Sequence, residues 1–404
     1  MNASRLHRLP TNVWVLSAAS FLTDVSSEML TNLLPLFLYS VLGVGTATIG
    51  LIEGIAETTA SLVKVYSGTL SDRMGKRKSL TVAGYLLSTL AKPFLYLATS
   101  WGWVLGVRFV DRIGKGIRTA PRDALLAGSI TPNQHGLAFG LHRASDTAGA
   151  FTGLGIAAAL VWINQAGKAQ LSHATFQWIV LASILPAAMA VLILVVGTRD
   201  VETPKTANAI TAPFRYTWKN LDRRVKAFIL VVVLFTLGNS SDAFIILRGQ
   251  ERGLSVLQIL GMLLTFTAVY TILSSPAGAL SDRIGRKRLI LVGWIIYALV
   301  YLCLASARTG SQVWLFFSLY GIYYALTEGT ARAYIADLVV QEQRGGAYGL
   351  FHAAVGLSSL PASLIAGVLW QGLGPWTGFG PSAPFVFGAA LAMLAVILLV
   401  CWVQ

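Results

Sequence analysis

Runs of mostly apolar residues, each near the length of about 20 needed to cross hydrocarbon, recur at roughly 13–41, 48–70, 79–99, 102–127, 137–161, 176–196, 226–248, 256–279, 288–306, 312–338, 346–370 and 383–403. This pattern predicts twelve membrane-spanning helices. One break, 197–225, is longer than the rest and rich in Lys, Arg, Pro and Thr. It separates six runs from six, so the expected organisation is a bundle over 1–198, a linker over 199–225 and a second bundle over 226–404. The first run follows Arg5, His7 and Arg8, like a signal peptide. Asp24 and Glu28 interrupt it, however, and no small-residue cleavage site precedes them, so an uncleaved first span is expected.

Composition narrows the class. Of 404 residues, 55% are hydrophobic and 12% charged, against about 25% charged in a soluble domain. Mean hydropathy is +0.66. A net charge of +14 would suggest nucleic acid in a soluble chain. Here the basic residues sit in alternate loops: the N-terminus, 71–78, 281–288 and the linker together with Lys226 hold 17 Lys and Arg, and the loops between them three, Lys168, Arg252 and Arg308. No nucleic-acid partner is expected, and the positive-inside rule puts both termini and the linker on the cytoplasmic face. Cys303 and Cys401 lie inside apolar runs without ligand spacing, so no metal is expected. The five His show no His-x-x-x-His or Glu-x-x-His pairing, and no phosphate-binding glycine loop is present. Neither an enzyme nor a cofactor is expected.

The chain also repeats itself. Residues 68–78 (GTLSDRMGKRK) return at 278–288 (GALSDRIGRKR). Ser26-Ser27-Glu28 is echoed by Ser240-Ser241-Asp242, Arg122 by Arg332, and Ala138-Phe139-Gly140-Leu141 by Ala347-Tyr348-Gly349-Leu350. One offset of about 210 serves most of the chain, the mark of two homologous parallel repeats.

On these residues the chain resembles a major facilitator superfamily transporter. The turn at 68–78 and its copy fit that family's loop signature, and Arg108 to Gly116 is similar to its fourth-span signature, with Asp111 and Arg112 in place of the usual Gln and Gly. The resemblance implies an all-α fold of two six-helix bundles related by a pseudo-two-fold axis, spanning the inner cell membrane. It also implies a cytoplasmic latch. Asp72, with Gly68, Arg73 and Gly75, would pair with Arg122 and with the positive helix N-terminus near Gly345-Gly346. Asp282, with Gly278, Arg283 and Gly285, would pair with Arg332. The basic tail of the motif (Arg77, Lys78, Lys287, Arg288) is expected to serve topology. The proline pattern of many drug exporters is missing from span 5, which reads HRASDTAGA from His142.

Span 4 carries the densest chemistry. At 100° per residue, Arg108, Asp111, Arg112, Lys115, Arg118 and Arg122 fall within an arc of about 120°. A charge at mid-bilayer costs at least about 2.5–3.5 kcal/mol, so this face must meet water or counter-charges. Candidates are Asp24 and Glu28 on span 1, Glu53, Glu57 and Lys64 on span 2, and Asp123, Arg143 and Asp146. Counted over the first half, these give seven of each sign. Substrate ligands and structural ion pairs both remain open for this set. The second half offers Asn239, Asp242, Glu328, Arg332 and His352.

The expected function is a monomeric secondary transporter in the lipid bilayer. It moves a small polar or charged molecule, an anion being one option, by alternating access driven by the proton gradient. Asp24 with Arg108 is the first candidate for coupling, with Glu28, Glu53 and Asp111 behind it. Proton-coupled export of amphipathic drugs is the alternative. A membrane enzyme or a sensor lacks the catalytic set or the soluble domain it would need.

Overall fold

The computed structural model describes residues 9–74, 76–131, 134–165, 168–201, 221–339 and 344–402. Gly75, the side chains of Asp72 and Arg73, and most of the expected linker lie outside the described residues. Among those described the chain is helical, with no strand beyond an isolated bridge between Leu373 and Trp376.

The helices in chain order are α1 (Thr11–Thr31), α2 (Thr46–Met74), α3 (Arg77–Ala91), α4 (Trp101–Gly128), α5 (His135–Gln165), α6 (His173–Gly197), α7 (Arg223–Gly238), α8 (Ala243–Glu251), α9 (Val256–Ile284), α10 (Arg286–Ser306), α11 (Gly310–Leu338), α12 (Arg344–Gln371) and α13 (Ala383–Trp402). Every predicted apolar run contains a helix. Three runs change their winding. The first passes through Leu34–Leu36 into a wider π turn, Phe37–Val41, with Pro35 at the join. The third ends as a tight 3-10 segment, Lys92–Leu97, where Pro93 withholds a backbone N–H. The seventh breaks between α7 and α8 at Asn239–Asp242, and Tyr297 Oη donates to the freed Gly238 carbonyl at 3.0 Å.

Eight helical segments among the described residues are long and apolar enough to cross a membrane, α7 and α8 counting as one. The remaining long helices, α1, α2, α4 and α11, carry the polar chemistry. This inverse relation is the expected one: a helix with charged positions depends on protein or water to satisfy them.

By packing, the described chain forms two compact units. The first holds the chain to Phe37, the stretch Thr59–Gln165 and the segment from Ser172; the second holds Leu38–Thr58 and the chain from α7 onward. Helix α2 is thus shared, its first half packing with the second unit.

Small residues set the helix spacing within each unit. In the first, a Cβ on Gly114 would lie 2.5 Å from Ser88 Oγ and 2.7 Å from the Gly84 carbonyl, so α3 and α4 touch backbone to backbone. Gly149 and Gly153 of α5 meet the carbonyls of Phe21 and Val25 on α1 in the same way, at 2.4 Å each. In the second unit Gly50 and Gly54 of α2 abut Ser363 and Leu360 of α12. Helix interfaces of this kind rely on dispersion and close approach, because lipid supplies no hydrophobic drive between helices.

An aromatic core fills the second unit: Phe235 stacks on Trp294 at 4.5 Å, and Tyr297 on Tyr301 at 4.1 Å. Arg248, fully buried, closes its far end. The guanidinium donates to the carbonyls of Leu304, Ala305 and Ala307 at the C-terminal end of α10 and pairs with Glu251 at 2.7 Å. It satisfies carbonyls left without partners at a helix C-terminus.

Gly114→Ala is expected to lower the stability of the detergent-solubilised protein by about 1–3 kcal/mol in thermal unfolding. Gly106→Ala on the same helix, where an added Cβ meets nothing within 4 Å, should leave it unchanged.

A charged cluster and an aromatic face as candidate functional site

In the first unit, α1, α3, α4 and α5 bring the charged positions together. Asp24 lies half-buried on α1 at the point where Gly149 lets α5 close in, with a Gly149 Cβ position only 3.1 Å from Asp24 Cβ. One turn on, Glu28 accepts a hydrogen bond from Asn32 Nδ2 at 2.7 Å.

On α4, Arg108, Arg112 and Arg118 are buried, Asp111 is half-buried and Lys115 is exposed. Arg112 faces Asp111 at 3.6 Å, and Ser88 of α3 donates to the Asp111 carbonyl at 2.9 Å. Arg118 lies over the buried Tyr85 ring, 4.5 Å from its centroid, a cation–π contact within protein. One turn further along α4, Arg122 pairs with Asp123 at 2.9 Å and donates to Ser20 Oγ at 3.1 Å. Ser20 in turn donates to Asp146 at 2.5 Å, and His142 Nε2 lies 3.8 Å from the same carboxylate. Five residues from three helices thus share one polar chain. Arg143 is exposed on α5.

The seven-to-seven balance expected across the first half does not hold within this unit. Glu53 (buried) and Glu57 (exposed) belong to the second unit. The structure also adds a cation that the sequence reading missed: Lys92, buried, whose Nζ donates to Ser26 Oγ at 2.6 Å and Ser27 Oγ at 3.1 Å. Within the unit Lys64, Lys92, Arg108, Arg112, Lys115, Arg118, Arg122 and Arg143 face five carboxylates: Asp24, Glu28, Asp111, Asp123 and Asp146. This charged set, exposed Lys115 and Arg143 included, is net basic.

The second unit answers with aromatic rings and carboxylates. Asn239, at the α7–α8 break, accepts from Tyr320 Oη at 3.1 Å and donates to Tyr323 Oη at 3.3 Å. Tyr324 donates to Asp242 at 3.4 Å, and Tyr270 donates to Glu328, which also pairs with Arg332 at 3.0 Å. Phe266 stands edge-on to Tyr324 at 5.4 Å, and Tyr324 edge-on to Tyr270 at 6.1 Å. Asp242, Tyr270, Tyr324 and Glu328 are each partly exposed. His352 of α12 sits edge-on to Phe351, with ring centroids 5.4 Å apart. The tyrosines were missed in the sequence, where an aromatic residue in an apolar run reads as packing.

At the turn motif the expected latch is redrawn. Asp282 pairs with Arg286 at 3.5 Å, and Arg332 pairs with Glu328 instead of with Asp282. Asp72 and Arg73, the first-copy partners, fall outside the described side chains. Gly285 takes φ 94°, a left-handed turn conformation, whereas Gly278 has open space around it and Gly68 makes only ordinary contact with Ala120. The close approach of α2 to α4 falls at Gly116, where a Cβ would stand 2.6 Å from Val63. Arg283 is exposed.

The basic tail does more than set topology. Arg77 donates to the Ala124 carbonyl at 3.1 Å, and Arg286 to the Ala333 carbonyl at 2.6 Å while pairing with Asp337 at 2.6 Å. Lys78 reaches the Val195 and Thr198 carbonyls at the end of α6, at 2.9 and 2.6 Å. Cations at helix C-termini satisfy carbonyls and oppose the macrodipole. The two arginine contacts are equivalent at an offset of 209, as are Gly84 and Gly293. That register sets Arg332 against Asp123, one residue away from the Arg122 match expected from the sequence.

Comparison with known proteins settles the family. A model described as Major Facilitator Superfamily matches residues 16–264 and 243–404. An uncharacterized MFS-type transporter of Methanocaldococcus jannaschii is 39% identical over 397 residues, 97% of this chain and 94% of that one. The chain belongs to the major facilitator superfamily. A multi-drug resistance efflux pump of Streptococcus pneumoniae is 23% identical over 313 residues, 75% of each chain. Among solved structures, a D-xylose–proton symporter shares the fold with a TM-score of 0.76, at 14% identity and over 98% of both chains.

Replacing Arg122 with Gln should cost about 1.5–3 kcal/mol of stability in thermal unfolding, because Asp123 and Ser20 lose a charged donor. Ser20→Ala, which removes a single bridging hydroxyl, should cost about half as much.

Proposed function

We propose that this chain is a proton-coupled secondary transporter that moves a small polar or charged solute by alternating access. It crosses the cell membrane twelve times, with both termini and the linker cytoplasmic, as the loop charges require. The observation that carries this reading is the polar network of the first unit. Acids and bases from four helices lie at membrane depth, where each isolated charge would be costly. Such a set can hold or release a proton as its partners change. Asp24 is the proposed coupling acid: it is half-buried, close-packed by α5 and on the same helix as the serines that hold Lys92. The net basic set favours an anionic solute.

A second reading, export of amphipathic cations, is favoured by one observation. The face of Tyr270, Tyr324, Phe266, Asp242 and Glu328 pairs rings with carboxylates, the chemistry that attracts organic cations. The efflux pump relative lends it further support.

The two readings separate in proteoliposomes under an imposed pH gradient, with anionic and cationic solutes compared. In the wild type, uphill accumulation should follow the proton gradient. Asp24→Asn should abolish that accumulation while leaving gradient-free counterflow within about threefold of wild type. Equal loss of both activities would contradict a coupling role for Asp24.

A further inference from the structure

We infer that Lys92 is a proton carrier of the first unit, exchanging its proton with Asp111 through one water held between them. This rests on the proton-coupled reading above and names a carrier for it. Lys92 is the lone charge of the apolar run 79–99. A lysine so placed usually extends its ammonium towards water.

Here the side chain turns in against α1, where α-helical winding gives way to 3-10, and Lys92 is only 4% exposed. Its Nζ donates to Ser26 Oγ and Ser27 Oγ, and Ser26 donates in turn to the Ser183 carbonyl of α6 at 2.7 Å. Among the described residues no carboxylate forms an ion pair with it. A cation held by hydroxyls alone is costly at membrane depth, and nothing traps the charge as a carboxylate partner would. The serines suit both forms of the group. An ammonium donates to both oxygens. A neutral amine still donates to Ser26, whose own proton is committed to Ser183, and accepts from Ser27, whose hydroxyl hydrogen can turn to it. Loss of the proton therefore strands no polar group.

Lys92 and Ser27 also line a cavity shared with Thr31, Arg108 and Asp111, which has room for about one water. A water there meets polar groups on several sides, the condition for an ordered one. Asp111 is the more open end, its side chain 19% exposed. In proton uptake the Asp111 carboxylate takes a proton from outside the cavity and becomes a carboxylic acid. The acid passes a proton to the cavity water, and the water passes one to the Lys92 amine. Carboxylate, water and ammonium result, and release runs in reverse; only O–H and N–H bonds break and form. Arg108, Arg112 and Arg118 of α4 face this pair and oppose the ammonium. Asp24 of α1 favours it, with Glu28 one turn further on, and α6 presents the Ser183 carbonyl. A shift of these helices in the transport cycle thus moves the proton.

Lys92→Arg separates a carrier from a fixed cation, because arginine keeps the charge and does not release its proton in a protein. The full chain is assayed in proteoliposomes with lactate and choline as the anionic and cationic probes. For a probe that the wild type concentrates under a pH gradient, Lys92→Arg and Asp111→Asn should each lower accumulation at least about tenfold more than they lower gradient-free counterflow. A second arm needs no solute: thermal unfolding of the purified chain in detergent between about pH 6 and 9. The Tm of the wild type should rise with pH relative to that of Lys92→Arg, because the folded wild type gives up a proton that its unfolded chain keeps. Lys92→Gln, which has no such proton, takes the place of Lys92→Arg in this comparison if the latter does not fold. Accumulation that falls only in step with counterflow in Lys92→Arg, or a Tm difference that does not change with pH, would overturn the carrier. A wild type that accumulates neither probe counts against the transport reading, and the thermal arm then decides the carrier alone.

Discussion

The cost of placing charge in hydrocarbon governs this molecule. A single cation at mid-bilayer costs several kcal/mol, and α4 carries four arginines and a lysine with two aspartates. Such a helix is tolerable only when its polar face meets partners. The structure supplies them in layers: Tyr85 under Arg118, Asp111 beside Arg112, and Ser20 with Asp123 around Arg122. Lys92 obeys the same rule through the serines of α1. The glycines of α3, α4 and α5 follow from this constraint, because short polar contacts between helices require backbones that approach closely.

Duplication gave the transporter two copies of one scaffold, and the copies have diverged in their chemistry. At the offset of 209 shown by the capping arginines, Arg108, Asp111 and Lys115 of α4 correspond to Phe317, Tyr320 and Tyr324 of α11. A charged stripe in one unit is an aromatic stripe in the other. What stayed the same is mechanical: Arg77 and Arg286 each tie the start of one helix to carbonyls near the end of the next. Gly84 and Gly293 each admit the neighbouring helix, meeting Arg118 and Thr327 respectively. Scaffold contacts tolerate little change in geometry, whereas residues on an open face can follow the solute.

Much of the fold was legible because membrane helices announce themselves through length and hydropathy, and because the Asp-Arg turn occurs twice. The breaks were less legible. A π turn at Phe37–Val41 and the interruption at Asn239–Asp242 lie within runs whose composition differs little from a continuous helix. Of the candidate site, the residues that were found carry charge in the middle of apolar runs, as Asp24 and Arg112 do. Lys92 escaped because it stands alone inside the run 79–99, without the charged neighbours that mark α4, and Tyr270 and Tyr324 because an aromatic ring signals burial before it signals recognition. Pairing was the least legible property. Glu53 and Glu57 share a helix with Lys64 but pack with the other unit, and Asp282 pairs with its own helical neighbour region through Arg286 instead of with Arg332. Spacing along one helix fixes a face; it does not fix which helix lies opposite.

The central claim is that the charged face of α4 looks into a polar, hydrated interior while its apolar face meets lipid. Spin labels at Lys115 and at Phe109, both exposed positions on that helix, report this directly through their collisions with a water-soluble nickel chelate and with oxygen, which concentrates in lipid. The account predicts that the label at Lys115 relaxes mainly with nickel and the label at Phe109 mainly with oxygen, in liposomes. Oxygen-dominated relaxation at Lys115, matching that at Phe109, would contradict it.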